Sequence, residues 1–362
     1  MSQKMSWPFT FAKHFLLLGL TTMVLVGCSQ KNDSDNVSSV EPCTFSNPIG
    51  KGQDPWVIKK DDYYYYIESR GGDLYVSKSR ELINLKEDER RVWSLPETGW
   101  NQYSLWAPEL HFVEGKWYIY YTAGAKEGAP FISQRSGVLQ AKTDDPMGEY
   151  MDKGQLYTGN DVRDGKNNIW SIDLTVLEHK DQLYAIWSGW KENRDTDKTP
   201  QHLYIAEMEN PWTISSNRIK ISSPVRDWEN SSELPINEGP QILKNNEDVF
   251  VIYSASQSWL PSYKLGQLKL IGDDPMNPKN WKKKGPVFNG TKEVLGVGHA
   301  SFTTSPDGTE NWIVYHTKVS PEPGWDRVVH LQPFVWDEEG APNFGTPVPA
   351  GQTINKPSGS CK

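Results

Sequence analysis

The chain has 362 residues, 38 basic against 46 acidic side chains, a formal net charge of −8 and 36% hydrophobic content. That length allows one large or two ordinary domains, and the acidic balance disfavours a nucleic-acid binder, which concentrates Lys and Arg. Three cysteines are too few for a disulfide scaffold or an all-cysteine zinc site, whereas 16 Trp, 16 Tyr and 11 Phe argue against disorder and for β-rich packing or a sugar-stacking surface.

Residues 1–27 carry Lys4 and Lys13, no acidic residue, and an apolar run from Phe15 to Val26. That is the pattern of a secretory signal, with a run too short for a comfortable membrane span. It ends in Leu25-Val26-Gly27-Cys28, which resembles a bacterial lipobox, where the cysteine becomes the lipidated first residue of the mature chain. The expectation is an exported bacterial lipoprotein, periplasmic or at the cell surface, that touches the membrane through its lipid anchor only. The alternative is an ordinary cleaved signal with an incidental cysteine. Residues 28–45 read as a flexible tether, since Ser29 to Ser39 is polar and free of aromatics. Cys43 and Cys361 sit at opposite ends of the folded region. In an oxidising compartment they pair if the termini lie close, and otherwise they stay as two thiols.

From 46 to 362 the sequence reads as one all-β domain. Alternating aromatic and aliphatic runs recur at 62–69 (DYYYYIES), 115–122 (GKWYIYYT), 181–188 (DQLYAIWS), 247–254 (EDVFVIYS) and 310–317 (ENWIVYHT). Each is read as a half-buried strand. The closing Ser or Thr positions 69, 122, 188, 254 and 317 are 53, 66, 66 and 63 residues apart. Five units of that size point to a closed radial repeat, a five-bladed β-propeller. Second strands follow at 73–79, 137–143, 202–208 and 265–271. A pair of β-sandwiches is the runner-up, against which the regular spacing argues.

A polar residue precedes each closing position: Asp54, Glu109, Asp173, Glu238 and His299 stand 15, 13, 15, 16 and 18 residues ahead. Placed on innermost strands, all five converge near the propeller axis. Four carboxyls and a histidine in one cleft are costly to bury without purpose.

The segments carrying them, Asp54-Pro55-Trp56-Val57, Trp106-Ala107-Pro108-Glu109, Ile172-Asp173, Glu238-Gly239-Pro240 and Gly296-Val297-Gly298-His299, resemble glycoside hydrolase family 43 in order and spacing. The resemblance spans about residues 46 to 350 and departs at Asp173-Leu174, where many members have Asp-Pro. It implies a five-bladed propeller that cleaves arabinose- or xylose-containing plant polysaccharides with inversion. By that resemblance Asp54 is the general base that activates water, Glu238 the general acid, and Asp173 the neighbour that raises the pKa of Glu238. An inverting glycosidase requires such a pair of carboxyls, with room for water between them.

No cofactor is required for that chemistry. The resemblance places His299 at the central channel beside a hydrated ion, commonly calcium, as local electrostatic support; a histidine satisfied by hydrogen bonds alone is the alternative. Arg327 is expected to contact the acidic centre or the sugar, unless it forms a surface ion pair. Trp56, Trp106 and Trp190 are candidate apolar walls for one sugar, with Glu109 and Gln257 as further sugar-binding groups. Trp117, Trp187 and Trp312 are expected in the core. The stretches Trp100-Asn101-Gln102-Tyr103 and Trp187-Ser188-Gly189-Trp190 and the segment near Trp228 resemble α-L-arabinofuranosidase members. The preferred reading is therefore a monomeric exo-acting enzyme that removes terminal arabinofuranose from arabinan or arabinoxylan. A β-xylosidase, an endo-arabinanase and a non-catalytic glycan-binding lipoprotein stand behind it.

Overall fold

The computed structural model describes residues 43–128, 130–230 and 234–361. The expected signal segment 1–27, with Cys28 and the rest of residues 28–42 of the expected tether, lies outside them. Five antiparallel sheets follow one another along the chain. Blade 1 comprises Trp56–Lys60, Tyr63–Arg70, Asp73–Ser79 and Asp88–Ser94. Blade 2 comprises Tyr103–Val113, Lys116–Gly124, Arg135–Ala141 and Tyr150–Gln155. Blade 3 is built on Ser171–His179, Gln182–Gly189 and His202–Asn210, the last pairing with both Thr213–Ile214 and Ile219–Ser222. Blade 4 comprises Asn237–Asn245, Asp248–Ala255, Lys264–Leu270 and Trp281–Asn289. Blade 5 takes Leu295–Thr304, Asn311–Lys318 and Arg327–Trp336, and a strand from the start of the fold, Gly50–Lys51, completes it. The architecture is a five-bladed β-propeller, and the expected second strands match the third segment of blades 1 to 4 within two residues.

The repeated strands were expected to be half-buried. Instead they are buried on both faces, as in Gln182–Gly189 and Asn311–Lys318, where only the first residue of each is partly open. The reason is radial stacking, because each sheet is sandwiched between two neighbours. Ile67 and Val76 of blade 1 pack with Leu110 and Ile119 of blade 2, and Tyr120 and Val138 meet Val176 and Trp187 of blade 3. Ile186 and Ile205 meet Val251 and Leu268 of blade 4, and Phe250 and Ile252 meet Val297 and Ile313 of blade 5. Trp312 and Val314 then return to Tyr64 and Tyr66 of blade 1. Each fully buried side chain of this kind contributes roughly 1.5–3 kcal/mol, so the ring is held by five similar apolar seams. Trp117, Trp187 and Trp312 are core residues, as expected.

The termini close the ring. Gly50 and Lys51 pair with Val329 and Val328, and Thr44–Ser46 pairs with Thr353–Asn355. Cys43 and Cys361 form a disulfide with Cα atoms 6.0 Å apart. The pairing left open by the sequence is thus made, and the folded unit begins at Cys43 rather than at residue 46.

Candidate active site

The site is generated by a backbone feature repeated in every blade. Asp54, Ala107, Asp173, Gly239 and His299, at the entrances of the innermost strands, all have positive φ, between 38° and 54°. In blades 2 to 5 the pairing shifts around this residue, between Trp106 and Glu109, Ile172 and Thr175, Glu238 and Gln241, and Gly298 and Ser301. A bulge of this kind turns a side chain out of the sheet, here towards the axis, and non-glycine residues in that conformation store strain typical of functional sites.

Three of the closing Ser and Thr residues of the repeat are joints between blades. Thr122 Oγ1 accepts the Asp173 N–H at 3.1 Å, and Ser254 Oγ accepts the His299 N–H at 2.8 Å. Ser188 Oγ donates to the carbonyl of Asn237, next to Glu238, at 2.9 Å. The repeat that identifies the fold therefore also fixes the backbone carrying the axial groups.

Asp54 Oδ1 lies 3.1 Å from Arg327 Nη1 and 3.4 Å from Nδ1 of both His299 and His316. Burial alone would raise this carboxyl, but the Arg327 guanidinium and the two imidazoles hold it well below the usual carboxylate range. Burial and the same guanidinium push His316 down to about 3, so it is neutral near pH 7. Arg327 Nη2 also donates to Gln53 Oε1 at 2.9 Å.

Glu238 is buried, and Tyr263 donates its hydroxyl to Oε1 at 2.8 Å. Burial first, opposed by that hydrogen bond and aided by the Asp54 charge, lifts Glu238 to about 7. Asp173 is also raised, by burial and then by Glu238, although its Oδ2 accepts the Gly239 N–H at 3.0 Å. Two adjacent buried carboxyls, Asp173 being raised by the charge of Glu238, retain a proton between them near neutral pH. Two glycines are required here. A Cβ on Gly239 would lie 3.1 Å from His299 Nδ1, and one on Gly298 would lie 2.2 Å from the Tyr263 ring.

An ionised Asp54 and a proton-bearing carboxyl pair thus face one axial cleft. Asp54, Arg327, Glu68, Trp325 and Pro108 line a cavity of about 440 Å³ at its mouth. Such a constellation can deprotonate a water and protonate a leaving oxygen.

The five axial residues do not share one register. Asp54, Asp173 and His299 occupy the positive-φ position, Glu238 stands one residue before it and Glu109 two after it. Glu109 is 1% exposed and is engaged by His111 Nε2 at 2.8 Å and by Gln241 Nε2. Trp56 lies further along the strand from Asp54, where its indole donates to the Leu110 carbonyl at 2.8 Å and it lines a separate cavity with Gln241 and Phe302. Trp106 is half-buried, and its ring centroid is 5.7 Å from that of Phe131. Trp190 is 1% exposed and stacked on Trp170 at 4.4 Å, which removes its face from any sugar. Gln257 is buried, with Nε2 3.5 Å from the Leu234 carbonyl. The donors around His299 do not form a direct calcium cage: its Nδ1 faces Asp54, Glu109 is taken, and the described residues contain no group of three or more His, Cys, Asp or Glu arranged for a metal.

His316, Tyr263, Gln53 and Trp325 were not anticipated as site residues. His316 carried a signal, since it stands just before the closing Thr317, where the repeat has Tyr121, Trp187 and Tyr253 in other blades.

The model of the glycosyl hydrolases family 43 matches residues 45–342. The chain belongs to glycoside hydrolase family 43. This family 43 chain is 33% identical over 326 residues to an extracellular exo-alpha-(1->5)-L-arabinofuranosidase of Streptomyces avermitilis, covering 86% of this chain and 65% of that protein. It is 31% identical to alpha-L-arabinofuranosidase 43 of Humicola insolens, covering 83% and 63%. The chain thus spans slightly less than two thirds of the length of these two relatives. The crystal structure of an alpha-L-arabinofuranosidase from Lactobacillus brevis superposes with a TM-score of 0.76 at 31% identity, covering 85% of this chain and 98% of that one.

Proposed function

We propose that this family 43 chain is an exo-acting α-L-arabinofuranosidase that releases terminal arabinofuranosyl residues from arabinan or arabinoxylan with inversion. The observation that carries the reading is the opposed state of two axial carboxyls. Asp54 is held ionised by Arg327, and Glu238 is lifted to about 7 by burial. Asp54 serves as the base that takes a proton from the attacking water. Glu238 gives its proton to the leaving oxygen as the glycosidic bond breaks. Asp173 keeps the proton on the pair and ties the Gly239 backbone beside Glu238. Arg327 fixes the Asp54 carboxylate, and Trp106 and Trp325 provide apolar surface near the sugar. The arabinoside preference rests on the names of the Streptomyces, Humicola and Lactobacillus relatives.

The test is release of nitrophenol from nitrophenyl α-L-arabinofuranoside and from nitrophenyl β-D-xyloside. Wild type should favour the arabinoside, and Glu238→Gln and Asp54→Asn should each lose it. Faster xyloside cleavage would make this a β-xylosidase. Equal rates for wild type and both variants would remove the catalytic roles and leave a glycan-binding protein.

Membrane anchoring through Cys28 belongs to the same proposal and rests on Leu25-Val26-Gly27-Cys28. Metabolic labelling with radioactive palmitate should mark wild type and not Cys28→Ser. Equal labelling of the two, or none of wild type, would end the lipoprotein assignment.

A further inference from the structure

Glu229 is a buried carboxylate that does not line the axial cleft. It lies in the loop between Ile219–Ser222 of blade 3 and Asn237–Asn245 of blade 4, and its exposure is 0%. Oε1 accepts from Asn237 Nδ2 at 2.9 Å, from the Tyr253 hydroxyl at 2.7 Å and from Lys283 Nζ at 2.6 Å. Oε2 accepts the N–H groups of Val225 at 3.1 Å and Arg226 at 2.9 Å. The neighbouring Trp228 locks this loop onto blade 4, since a Cβ on Gly266 or on Gly285 would lie 2.5 Å from its indole ring. Burying an ammonium with a carboxylate rarely gives more stability than apolar side chains of the same volume. What the pair supplies is a fixed geometry, and that geometry centres on Asn237.

Asn237 stands immediately before Glu238, and each of its polar atoms is held. Its N–H donates to the Gln201 carbonyl at 3.1 Å, and its carbonyl accepts from Ser188 Oγ at 2.9 Å. Oδ1 accepts from Ser222 Oγ at 2.6 Å, while Nδ2 donates to Glu229. The acid needs this support because its own strand gives way there. The pairing with Asp248–Ala255 shifts between Glu238 and Gln241, and a bulge interrupts the ladder that would otherwise hold the backbone. On the far side of the acid, Asp173 Oδ2 holds the Gly239 N–H at 3.0 Å. Glu238 thus sits between two residues, each tied by a buried carboxylate from outside its strand.

We propose that Glu229 is a positioning residue for the acid: through Asn237 it fixes the peptide that carries Glu238, so that the carboxyl proton reaches the leaving oxygen. The inference rests on the glycosidase reading with Glu238 as acid, and adds to it a residue outside the cleft.

The experiment compares kcat/KM on two substrates that need the acid unequally. The sugar leaving from 1,5-arabinobiose must be protonated as the bond breaks, whereas nitrophenolate leaving from nitrophenyl α-L-arabinofuranoside depends on the acid less. Glu229→Gln can accept on one side only, so it frees either the backbone at Val225 and Arg226 or the side chain of Asn237. Asn237→Ala removes the relay itself and leaves Glu229 in place. In each variant the ratio of aryl glycoside to arabinobiose cleavage should rise about tenfold, a fraction of the roughly 10²–10⁴-fold that a positioned acid supplies. The loss should fall on kcat for arabinobiose, with KM near wild type. Both rates come from the same folded molecules, so partial unfolding cancels from the ratio. Cys361→Ser, which loosens the fold away from the site, should keep the wild-type ratio. An unchanged ratio in either Glu229→Gln or Asn237→Ala, or one raised equally by Cys361→Ser, would overturn the proposal. A wild type that cleaves neither substrate would instead remove the glycosidase reading, and the role of Glu229 with it.

Discussion

Arg327 Nη1 and Asp54 Oδ1 stand 3.1 Å apart, although 273 residues of chain separate them. The contact joins the third strand of blade 5 to the entrance of blade 1, the two ends of the ring. Ring closure and the charge state of Asp54 are therefore coupled through one guanidinium.

Replacing Arg327 by Met tests this coupling. Without the cation, burial is opposed only by His299 and His316, and the Asp54 pKa rises. Since the base acts ionised, the acid limb of the kcat/KM profile should move to higher pH. The plateau should fall on the order of 10²-fold, as for loss of a preorganised electrostatic contact. An unmoved acid limb would separate Arg327 from Asp54.

Tyr263→Phe acts on the other limb. The acid works protonated, so activity should fall as pH rises through about 7. The Tyr263 hydroxyl favours the ionised form of Glu238, and its removal should shift that basic limb upward by up to about one unit. A downward shift in a pH–rate series would contradict the hydrogen bond at 2.8 Å.

Ser254→Ala tests the joints between blades. It leaves the buried His299 N–H without its partner, at a cost of roughly 1–3 kcal/mol. Urea unfolding should show a lower midpoint with an unchanged slope. An unchanged midpoint would mean that the closing Ser of the repeat has no mechanical role.

The propeller was legible because the same physical demand recurs five times. Each blade needs a β-rich strand packed on both faces, and the ends of those strands at Ser69, Thr122, Ser188, Ser254 and Thr317 recur at near-regular intervals. Asp54, Asp173 and His299 were legible for the same reason, standing at the positive-φ entrance. Glu109 was misplaced because depth along the axis depends on a bulge that composition does not reveal. Trp190 was misread because exposure of a ring depends on a stacking partner, Trp170, twenty residues away in sequence. Trp325 and Phe131 lie on irregular loops from blades that are not neighbours, and no local pattern announces a contact of that kind. The short strand Gly50–Lys51, which completes blade 5, is too brief to read from side-chain alternation.

The Cys43–Cys361 bridge spans 318 residues of sequence and clips the two ends that close the ring. The chain-entropy account gives about 6 kcal/mol for a loop of that order, with about 2–4 kcal/mol usual in practice. Cys361→Ser should therefore lower the thermal midpoint clearly while leaving kcat near wild type at 25 °C, since the bridge touches none of the axial groups. Identical melting of wild type and variant, by calorimetry under non-reducing conditions, would contradict this.

The division of labour between Asp54 and Glu238 predicts attack by water from the face opposite the leaving group. Proton NMR of the first-formed sugar during hydrolysis of nitrophenyl α-L-arabinofuranoside reads this directly. The account predicts β-L-arabinofuranose as the initial product, with the α anomer growing in only through mutarotation. Initial appearance of the α anomer would mean net retention and would contradict the base role of Asp54.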